Sequence, residues 1–148
     1  MDKKYKCPEI LSIRDSTIPG AGKGVFATKT IPKHTVLGEY KGVYLSPEQF
    51  DEQPDAVYTW ALYDKEYKIV MYIDARNRKK SNWCRFVNCP RTENMANVET
   101  LQKGVKLFYI SRRKIEKGEE LFVWYGDDYA KTLFDPVESI PKEKLKKP

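Results

Sequence analysis

Short apolar runs separated by glycine, proline, asparagine and aspartate make up most of this chain. Strands are predicted at 9–13 (EILSI), 25–31 (VFATKTI) and 36–45 (VLGEYKGVYL), because these runs are rich in β-branched and aromatic residues and end at turn-forming residues. The longest uninterrupted apolar strings, IVMYI and LFVWY, are strand-sized, whereas crossing a bilayer takes about 20 apolar residues. The pattern predicts a mainly β fold without a membrane span.

Two hairpins are predicted further along the chain. The runs at 57–63 (VYTWALY) and 67–74 (YKIVMYID) flank the turn DKE, and those at 97–102 (NVETLQ) and 105–112 (VKLFYISR) flank the turn KG. Strand-forming runs joined by so short a polar connection are typical of antiparallel neighbours. A final strand is predicted at 121–125 (LFVWY).

Helical signals are few and short. In SPEQF, at 46–50, Ser46 is a natural N-cap, Pro47 takes the first helical position and Gln49 completes a capping box. A second short helix is predicted at 127–134 (DDYAKTLF). The fold class is therefore mainly β with short helices.

The composition fits one folded domain. With 148 residues, 41% apolar and 13% aromatic, the chain is large enough to bury a core. We expect an N-terminal extension at 1–8, a single domain at 9–134 and a charged tail with little core at 135–148. The net charge of +6 lies partly in the two ends, so solvated termini explain it most simply, while attraction to nucleic acid or another acidic surface stays open.

The cysteine and histidine counts bear on cellular location and on metal sites. Three cysteines is an odd number, which fits a reducing compartment better than a disulfide framework, and the start MDKKYKCPE shows no apolar signal segment. Cys84 and Cys89 are close in sequence, but Cys7 is remote and His34 is the only histidine. We therefore expect no metal site from this chain.

Two short motifs allow either a structural or a ligand-binding interpretation. GAGKGVFA at 20–27 is typical of a tight turn before a strand, but its small residues would also let a ligand approach the backbone. In RFVNCP at 85–90, Asn88 could close a turn, or its amide could hold a polar cofactor by both donating and accepting. Cys89 is interpreted as a packed thiol rather than a nucleophile, because only the distant His34 could activate it.

The third motif, LFVWYG at 121–126, would be a core strand by default. Tyr125 differs from the rest of the run because it comes just before Gly126, where the chain leaves the predicted strand. A phenol at that point could face a cavity.

The order of five segments resembles the SET domain, and most closely its PR subgroup, whose members usually precede zinc fingers. These segments are GAGKGVFA, GEYKG, RFVNCP, FYISRRKIEKGEEL and FVWYG, and the resemblance runs from about Cys7 to about Leu133. It implies a SET-domain β-clip-like fold of several small sheets with a C-terminal pseudoknot. It also implies transfer of a methyl group from the cofactor S-adenosylmethionine to a lysine amine of a histone tail.

The resemblance also implies a place in the cell and a set of partners. The expected partner is a histone tail peptide, with histone H3 the favoured one, and the expected setting is chromatin in the nucleus. Direct nucleic-acid binding by this domain is not expected, since no recognisable nucleic-acid motif accompanies the positive charge.

Site residues follow from the resemblance position by position. Tyr125 matches the catalytic tyrosine, and Tyr109 and Tyr40 match aromatic positions of the lysine channel, with catalytic and substrate-binding roles. Trp60 is a further substrate-binding candidate. The implied cofactor-binding residues are Ala21, Gly22, Lys23, Gly24, Tyr58, Asn88 and Cys89.

One departure from the wider family pattern keeps a second hypothesis open. SET domains usually read R-F-x-N-H-x-C, and this chain has Cys89 where the histidine stands, a departure that PR domains share. Asn88, Tyr109 and Tyr125 favour an active enzyme, whereas Cys89 favours a weakly active or inactive PR domain that serves as a protein-interaction module in transcriptional regulation. A basic β-rich nucleic-acid binder is a third hypothesis.

Two finer expectations concern the substrate. Val123 is smaller than the Phe or Tyr that SET enzymes often carry two residues before the catalytic tyrosine, so more than one methyl group could fit. A basic histone tail also calls for a local acidic patch, with EEL at 119–121 or DEQPD at 51–55 as candidates.

Overall fold

The computed structural model describes residues 7–52, 57–125 and 134–135, the last pair by its backbone alone. The described residues form nine short strands, one short α-helix and three 3₁₀ turns. In chain order the strands and the α-helix are β1 (Leu11–Asp15), β2 (Lys23–Ala27), β3 (Val36–Glu39), β4 (Val43–Leu45), α1 (Pro47–Asp51), β5 (Thr59–Tyr63), β6 (Ile69–Asp74), β7 (Val98–Lys103), β8 (Lys106–Ser111) and β9 (Phe134–Asp135). The prediction of a mainly β fold with short helices is confirmed.

Three small sheets hold these strands. The hairpin β1–β2 forms the first, β4–β6–β5 the second and β3–β8–β7–β9 the third. All pairs are antiparallel except β7–β9, which is parallel. β1 begins two residues after its predicted run, and β2 begins two residues before its own. An ion pair between Lys23 and Asp15 at 2.7 Å lies at the turn end of their ladder.

Local sequence signals were reliable for the helix and for both predicted hairpins. Ser46 caps α1, and the reciprocal bonds of the capping box join its side chain to the Gln49 amide and the Gln49 side chain to the Ser46 amide. The β5–β6 and β7–β8 hairpins form as predicted. In each case the signal and its partner are only a few residues apart.

The predicted strand at 121–125 is not a regular strand. Phe122 and Val123 instead form single parallel bridges to Asn88 and Val98, which lie in different segments on either side. The Val123 amide donates to the Asn88 carbonyl at 3.0 Å, and the Phe122 carbonyl accepts from the Val98 amide at 3.0 Å. The segment thus passes between the two ends of the connection 88–98, the arrangement that the predicted pseudoknot requires.

The segment 81–90, which includes the motif RFVNCP, supplies part of the wall of the candidate site. It contains a 3₁₀ turn at Trp83–Phe86, capped by Asn82, whose side-chain oxygen accepts from the Cys84 amide. Trp83 packs over Gly38 so closely that a Cβ at Gly38 would lie 2.7 Å from the indole ring. That contact fixes the turn against the sheet, and Arg85 is a buried residue of the same turn.

The C-terminal predictions fall largely outside the described residues. Of the helix predicted at 127–134, only Phe134 is described, and it belongs to strand β9. β9 also crosses the predicted end of the domain at 134, and the tail beyond Asp135 lies outside the described residues.

Apolar side chains from all three sheets meet in one core. Its fully buried members include Leu62, Met71, Ile73, Leu107 and Leu121. No helix within the described ranges is long and apolar enough to cross a membrane.

Candidate functional site

A cavity of about 570 Å³ opens where three parts of the chain meet. They are the start of β5, the segment 85–89 and the end of the segment 121–125, called the threaded segment below. Its lining residues are Val57, Tyr58, Thr59, Trp60, Arg85, Val87, Asn88, Cys89 and Tyr125. Five residues predicted from the sequence are therefore brought together: Tyr58, Trp60, Asn88, Cys89 and Tyr125. Their assigned roles stay predictions.

Tyr58 lines the cavity and has a strained backbone conformation. Its φ of 67° lies in the left-handed region, which non-glycine residues rarely occupy. Two hydrogen bonds to its carbonyl hold it there, from the Tyr40 hydroxyl at 2.7 Å and from the Ala75 amide at 2.9 Å. The Tyr58 ring then lies over the guanidinium of Arg85, 4.3 Å from ring centroid to carbon.

Arg85 is a buried cation on the wall of this cavity. It is 7% exposed, and its Nε donates to the Ala75 carbonyl at 3.0 Å. The Tyr58 and Phe86 rings stack against its guanidinium, at 4.3 and 5.1 Å. Among the described residues, no hydrogen bond and no carboxylate partner reaches its two terminal nitrogens. A buried cation whose terminal nitrogens have no partner among the described residues favours an anionic or carbonyl ligand in the cavity.

Asn88 joins the cavity to the glycine turn. Its side-chain nitrogen donates to the Lys23 carbonyl at 3.0 Å and to a Glu120 carboxylate oxygen at 3.3 Å. Both partners accept, so the orientation of the amide is fixed and its oxygen has no hydrogen-bond partner within the described part of the chain. Asn88 therefore uses its side-chain donors inside the protein.

Glu120 holds the glycine turn and the Asn88 segment together. Its carboxylate accepts from the Ser16 hydroxyl at 2.7 Å, the Thr17 amide at 2.9 Å and the Thr17 hydroxyl at 2.6 Å, in addition to Asn88. Burial by itself would raise the pKa of Glu120, but the hydrogen bonds from Thr17, Ser16 and Asn88 outweigh it and lower the pKa below its usual 4.5. The carboxylate is therefore ionised at neutral pH.

The four glycine-turn residues predicted to bind the cofactor lie beside the cavity rather than on its wall. Ala21, Gly22 and Lys23 are exposed, and Gly22 has a φ of +77° that favours glycine. At Gly24 a Cβ would lie 2.2 Å from the Glu120 carboxylate, so the glycine is needed for the close approach of that side chain. Contact between this turn and the cavity runs through the bond from Asn88 to Lys23.

The four aromatic residues predicted to have catalytic or substrate-binding roles pack in a row. The Trp60 and Tyr125 rings are 5.1 Å apart, the Trp60 and Tyr109 rings 6.2 Å, and the Tyr109 and Tyr40 rings 5.4 Å. Trp60 and Tyr125 line the cavity, while Tyr40 and Tyr109 are fully buried behind them. The hydroxyls of the buried pair are engaged: Tyr40 donates to Tyr58, and Tyr109 accepts from the Trp60 indole at 2.9 Å.

The tyrosines in this row are neutral phenols near pH 7. Burial raises the pKa of Tyr40 and of Tyr109 well above 10, and it raises the pKa of Tyr125 to about 12. Tyr125 is 40% exposed as a residue, but its hydroxyl end is partly buried where it donates to the Val87 carbonyl at 3.4 Å. Neutral phenols of this kind cannot act as bases at neutral pH, and of the three only Tyr125 lines the cavity.

Several predicted residues lie elsewhere than expected. Glu120 was a candidate for an exposed acidic patch, yet it is buried and fully bonded, so that prediction is wrong for Glu120. Glu119 pairs with Arg113 at 3.5 Å. Val123 is buried and does not line the cavity, and His34 is exposed away from it. Within the described residues no group of three His, Cys, Asp or Glu side chains could hold a metal ion.

Sequence reasoning missed two residues of this site, Arg85 and Glu120. Arg85 stands first in RFVNCP, and the available signal was a cationic residue directly before the apolar pair Phe86 and Val87. Glu120 offered no such signal, because its hydrogen-bond partners are 32, 103 and 104 residues away in sequence.

Known proteins match most of this chain. The family model for the PR domain of PR domain zinc finger protein 2 matches residues 11–136. Histone-lysine N-methyltransferase set-17 of Caenorhabditis elegans is 36% identical over 141 residues, which cover 95% of this chain and 48% of that protein. Histone-lysine N-methyltransferase PRDM7 of Homo sapiens is 34% identical over 139 residues, covering 90% and 27% respectively. The chain thus spans about a quarter to a half of the curated relatives it matches.

A solved structure shares the fold. The methyltransferase domain of human PR domain-containing protein 2 superimposes with a TM-score of 0.69 and 30% identity, covering 85% of this chain and 83% of that chain. The family match, the relatives and the shared fold all rest on the same region, and the chain belongs to the PR subgroup of the SET-domain family.

Proposed function

We propose that this chain is an S-adenosylmethionine-dependent protein lysine N-methyltransferase that acts on a histone tail. The observation that carries the proposal is the meeting of Asn88, Trp60 and Tyr125 around one cavity, from segments far apart in sequence. The names of the relatives support the same reaction class. A nuclear location and a histone H3 substrate on chromatin belong to this proposal.

The chemistry of the cavity fits S-adenosylmethionine. Its volume of about 570 Å³ lies within the range of small-molecule sites, and its walls combine aromatic rings with a few fixed polar groups. The terminal nitrogens of Arg85 would bind the carboxylate of the amino-acid end. The side-chain oxygen of Asn88, which has no hydrogen-bond partner among the described residues, would accept from an amino group of the ligand.

When bound, the cofactor supplies an electrophilic methyl group on a positively charged sulfur. The chain's own residues must then present a neutral lysine amine in line with that methyl group. Trp60 and Tyr125 form an apolar wall that desolvates an ammonium and lowers its pKa, and the Arg85 cation on the same cavity acts in the same direction. The neutral phenol of Tyr125 would orient the amine by hydrogen bonding, and no charged base is required.

The two buried tyrosines behind the cavity keep this wall in place. Tyr109 holds the Trp60 indole through its hydroxyl, and Tyr40 holds the strained carbonyl of Tyr58. We therefore assign Tyr109 and Tyr40 a positioning role in the described arrangement.

A methyl-transfer assay on histone tail peptides tests the proposal. Tyr125→Phe is expected to lower turnover by roughly 10- to 100-fold through loss of orientation. Tyr67→Phe, at an exposed tyrosine of the β5–β6 hairpin, is the matched control and should leave turnover unchanged. Methyl transfer by the wild type that Tyr125→Phe leaves intact would remove the catalytic assignment. An absence of both methyl transfer and cofactor binding would favour the interaction-module hypothesis.

A further inference from the structure

The three cysteines of this chain have very different surroundings. Cys84 is buried and its thiol donates to the Glu39 carbonyl at 3.5 Å, while Cys7 donates to the Leu11 carbonyl at 3.2 Å. Burial raises the pKa of both thiols. Cys7 and Cys89 are both partly exposed, and the Cys89 thiol donates to the Pro90 carbonyl at 3.6 Å, but of the three cysteines Cys89 alone lines the 570 Å³ cavity. A reagent that enters the cavity therefore meets one thiol.

The same cavity carries an independent sign of an anionic ligand. Arg85 is more than nine-tenths buried, and among the described residues its terminal nitrogens have no hydrogen-bond partner. Its stacking on Tyr58 fixes the guanidinium plane, and no carboxylate of the described residues forms an ion pair with it. A small molecule with a carboxylate would therefore be concentrated and oriented in this cavity, next to a thiol.

We propose that Cys89 is a modification site for small anionic thiol-reactive compounds, of which glutathione disulfide is the physiological class. The thiolate of Cys89 attacks one sulfur of the disulfide, the original sulfur–sulfur bond breaks, and glutathione leaves as a thiolate that takes up a proton. Cys89 is oxidised to a mixed disulfide while one half of the reagent is reduced. A second molecule of thiol reverses the reaction.

The consequence for activity rests on the proposed function. A glutathione moiety attached at Cys89 occupies the space that we assign to the cofactor, between Asn88 and Tyr125. The modified chain would lose cofactor binding, and a reducing agent would restore it. The cysteine that replaces the usual histidine of the family pattern would then make the enzyme sensitive to redox conditions.

The selectivity of labelling tests the site directly. The full chain is treated with limiting iodoacetate or iodoacetamide, and each cysteine is followed by peptide mass spectrometry. Cys89 is expected to react at least about tenfold faster than Cys84, because a buried thiol reacts slowly, and faster than the partly exposed Cys7, whose raised pKa lowers its thiolate fraction. Labelling of Cys7 or Cys84 at the rate of Cys89 would overturn the proposal.

The charge of the two reagents tests the role of Arg85. The ratio of iodoacetate to iodoacetamide rates at Cys89 should be higher in the folded chain than in the urea-unfolded chain by roughly tenfold, which corresponds to about 1.4 kcal/mol of attraction. Arg85→Gln should bring the ratio back to the unfolded value. An equal ratio in folded and unfolded chains would contradict an anionic preference, and it is measurable in the wild type even if Arg85→Gln fails to fold.

Protection of Cys89 by S-adenosylmethionine distinguishes a failure of this inference from a failure of the proposed function. If S-adenosylmethionine binds, it should slow the reaction of Cys89 with glutathione disulfide and leave Cys7 unaffected. Binding without protection would place Cys89 outside the cofactor space and overturn the regulatory consequence. Failure of the cofactor to bind would count against the proposed function, while the order of labelling and the charge ratio would still decide the modification site.

Discussion

The side-chain nitrogen of Asn88 donates to the carboxylate of Glu120 across 3.3 Å, and the same carboxylate accepts three hydrogen bonds from Ser16 and Thr17. A single buried acid therefore ties the glycine turn, the Asn88 segment and the threaded C-terminal segment into one unit. Asn88 can present a fixed acceptor to a ligand because its two amide hydrogens are already engaged.

Glu120→Gln should destabilise the fold. The substitution replaces a charged acceptor of four hydrogen bonds with a neutral amide, which leaves partly buried hydrogen bonds poorly paired, so we expect a loss of about 1–3 kcal/mol in urea unfolding. The adjacent Glu119→Gln is the control, because it removes only an exposed ion pair with Arg113 and should cost at most about 1 kcal/mol. Equal effects of the two substitutions would show that Glu120 is not the joining residue.

The contribution of Glu120 should depend on pH in a defined direction. Its folded-state pKa is lowered below 4.5, so folding favours the ionised form. The stabilisation is fully present above the unfolded pKa and is lost as the pH falls through the folded-state value. The difference in unfolding free energy between wild type and Glu120→Gln should therefore be constant from pH 7 down to about 5 and shrink below about 4.5. A difference that stays constant into strong acid would contradict the assigned shift.

Tyr40→Phe should separate positioning from stability. It removes the hydrogen bond to the carbonyl of Tyr58, at a cost of about 0.5–1.5 kcal/mol, and frees the strained residue that covers Arg85. Tyr44→Phe removes a comparable bond, to the Val105 carbonyl, away from the cavity. Both variants should lose similar stability in thermal unfolding, but only Tyr40→Phe should weaken binding of S-adenosylmethionine. If the two variants bound S-adenosylmethionine with equal affinity, Tyr40 would stabilise the core and have no role in positioning the site.

Arg85→Lys should weaken cofactor binding by about tenfold or more. Lysine keeps the charge but lacks the planar guanidinium that stacks on Tyr58 and offers two parallel donors to a carboxylate. Arg14→Lys is the matched control, since Arg14 also stacks on an aromatic ring, that of Phe26 at 4.2 Å, but lies in β1 and does not line the cavity. Affinities can be compared by calorimetry. An unchanged affinity in Arg85→Lys would exclude a bidentate carboxylate contact.

Local signals in the sequence predicted local structure well. The capping box of Ser46 and Gln49 and the β7–β8 hairpin involve residues close in sequence, so their geometry follows from a few neighbouring side chains. The segment 121–125 has the composition of a strand, but its neighbours are two separate segments that each supply one bridge. Composition could not reveal this, because the partner of a strand is not encoded in the strand itself.

The candidate site was likewise predictable from the sequence only in part. The resemblance identified Asn88, Trp60 and Tyr125, which line one cavity in the structure. The bonds that fix Asn88 were not predictable, because Glu120 is 32 residues away and looked like a surface acid in EEL. Its burial follows from the close approach that Gly24 allows, which is a property of the folded chain.

Calorimetric titration of the chain with S-adenosylmethionine tests the central claim most directly. We predict saturable heat with one site per chain, weakened by Asn88→Ala and unchanged by Asn94→Ala, an exposed asparagine that does not line this cavity. A wild-type chain that is folded by circular dichroism and gives no saturable heat would contradict the account.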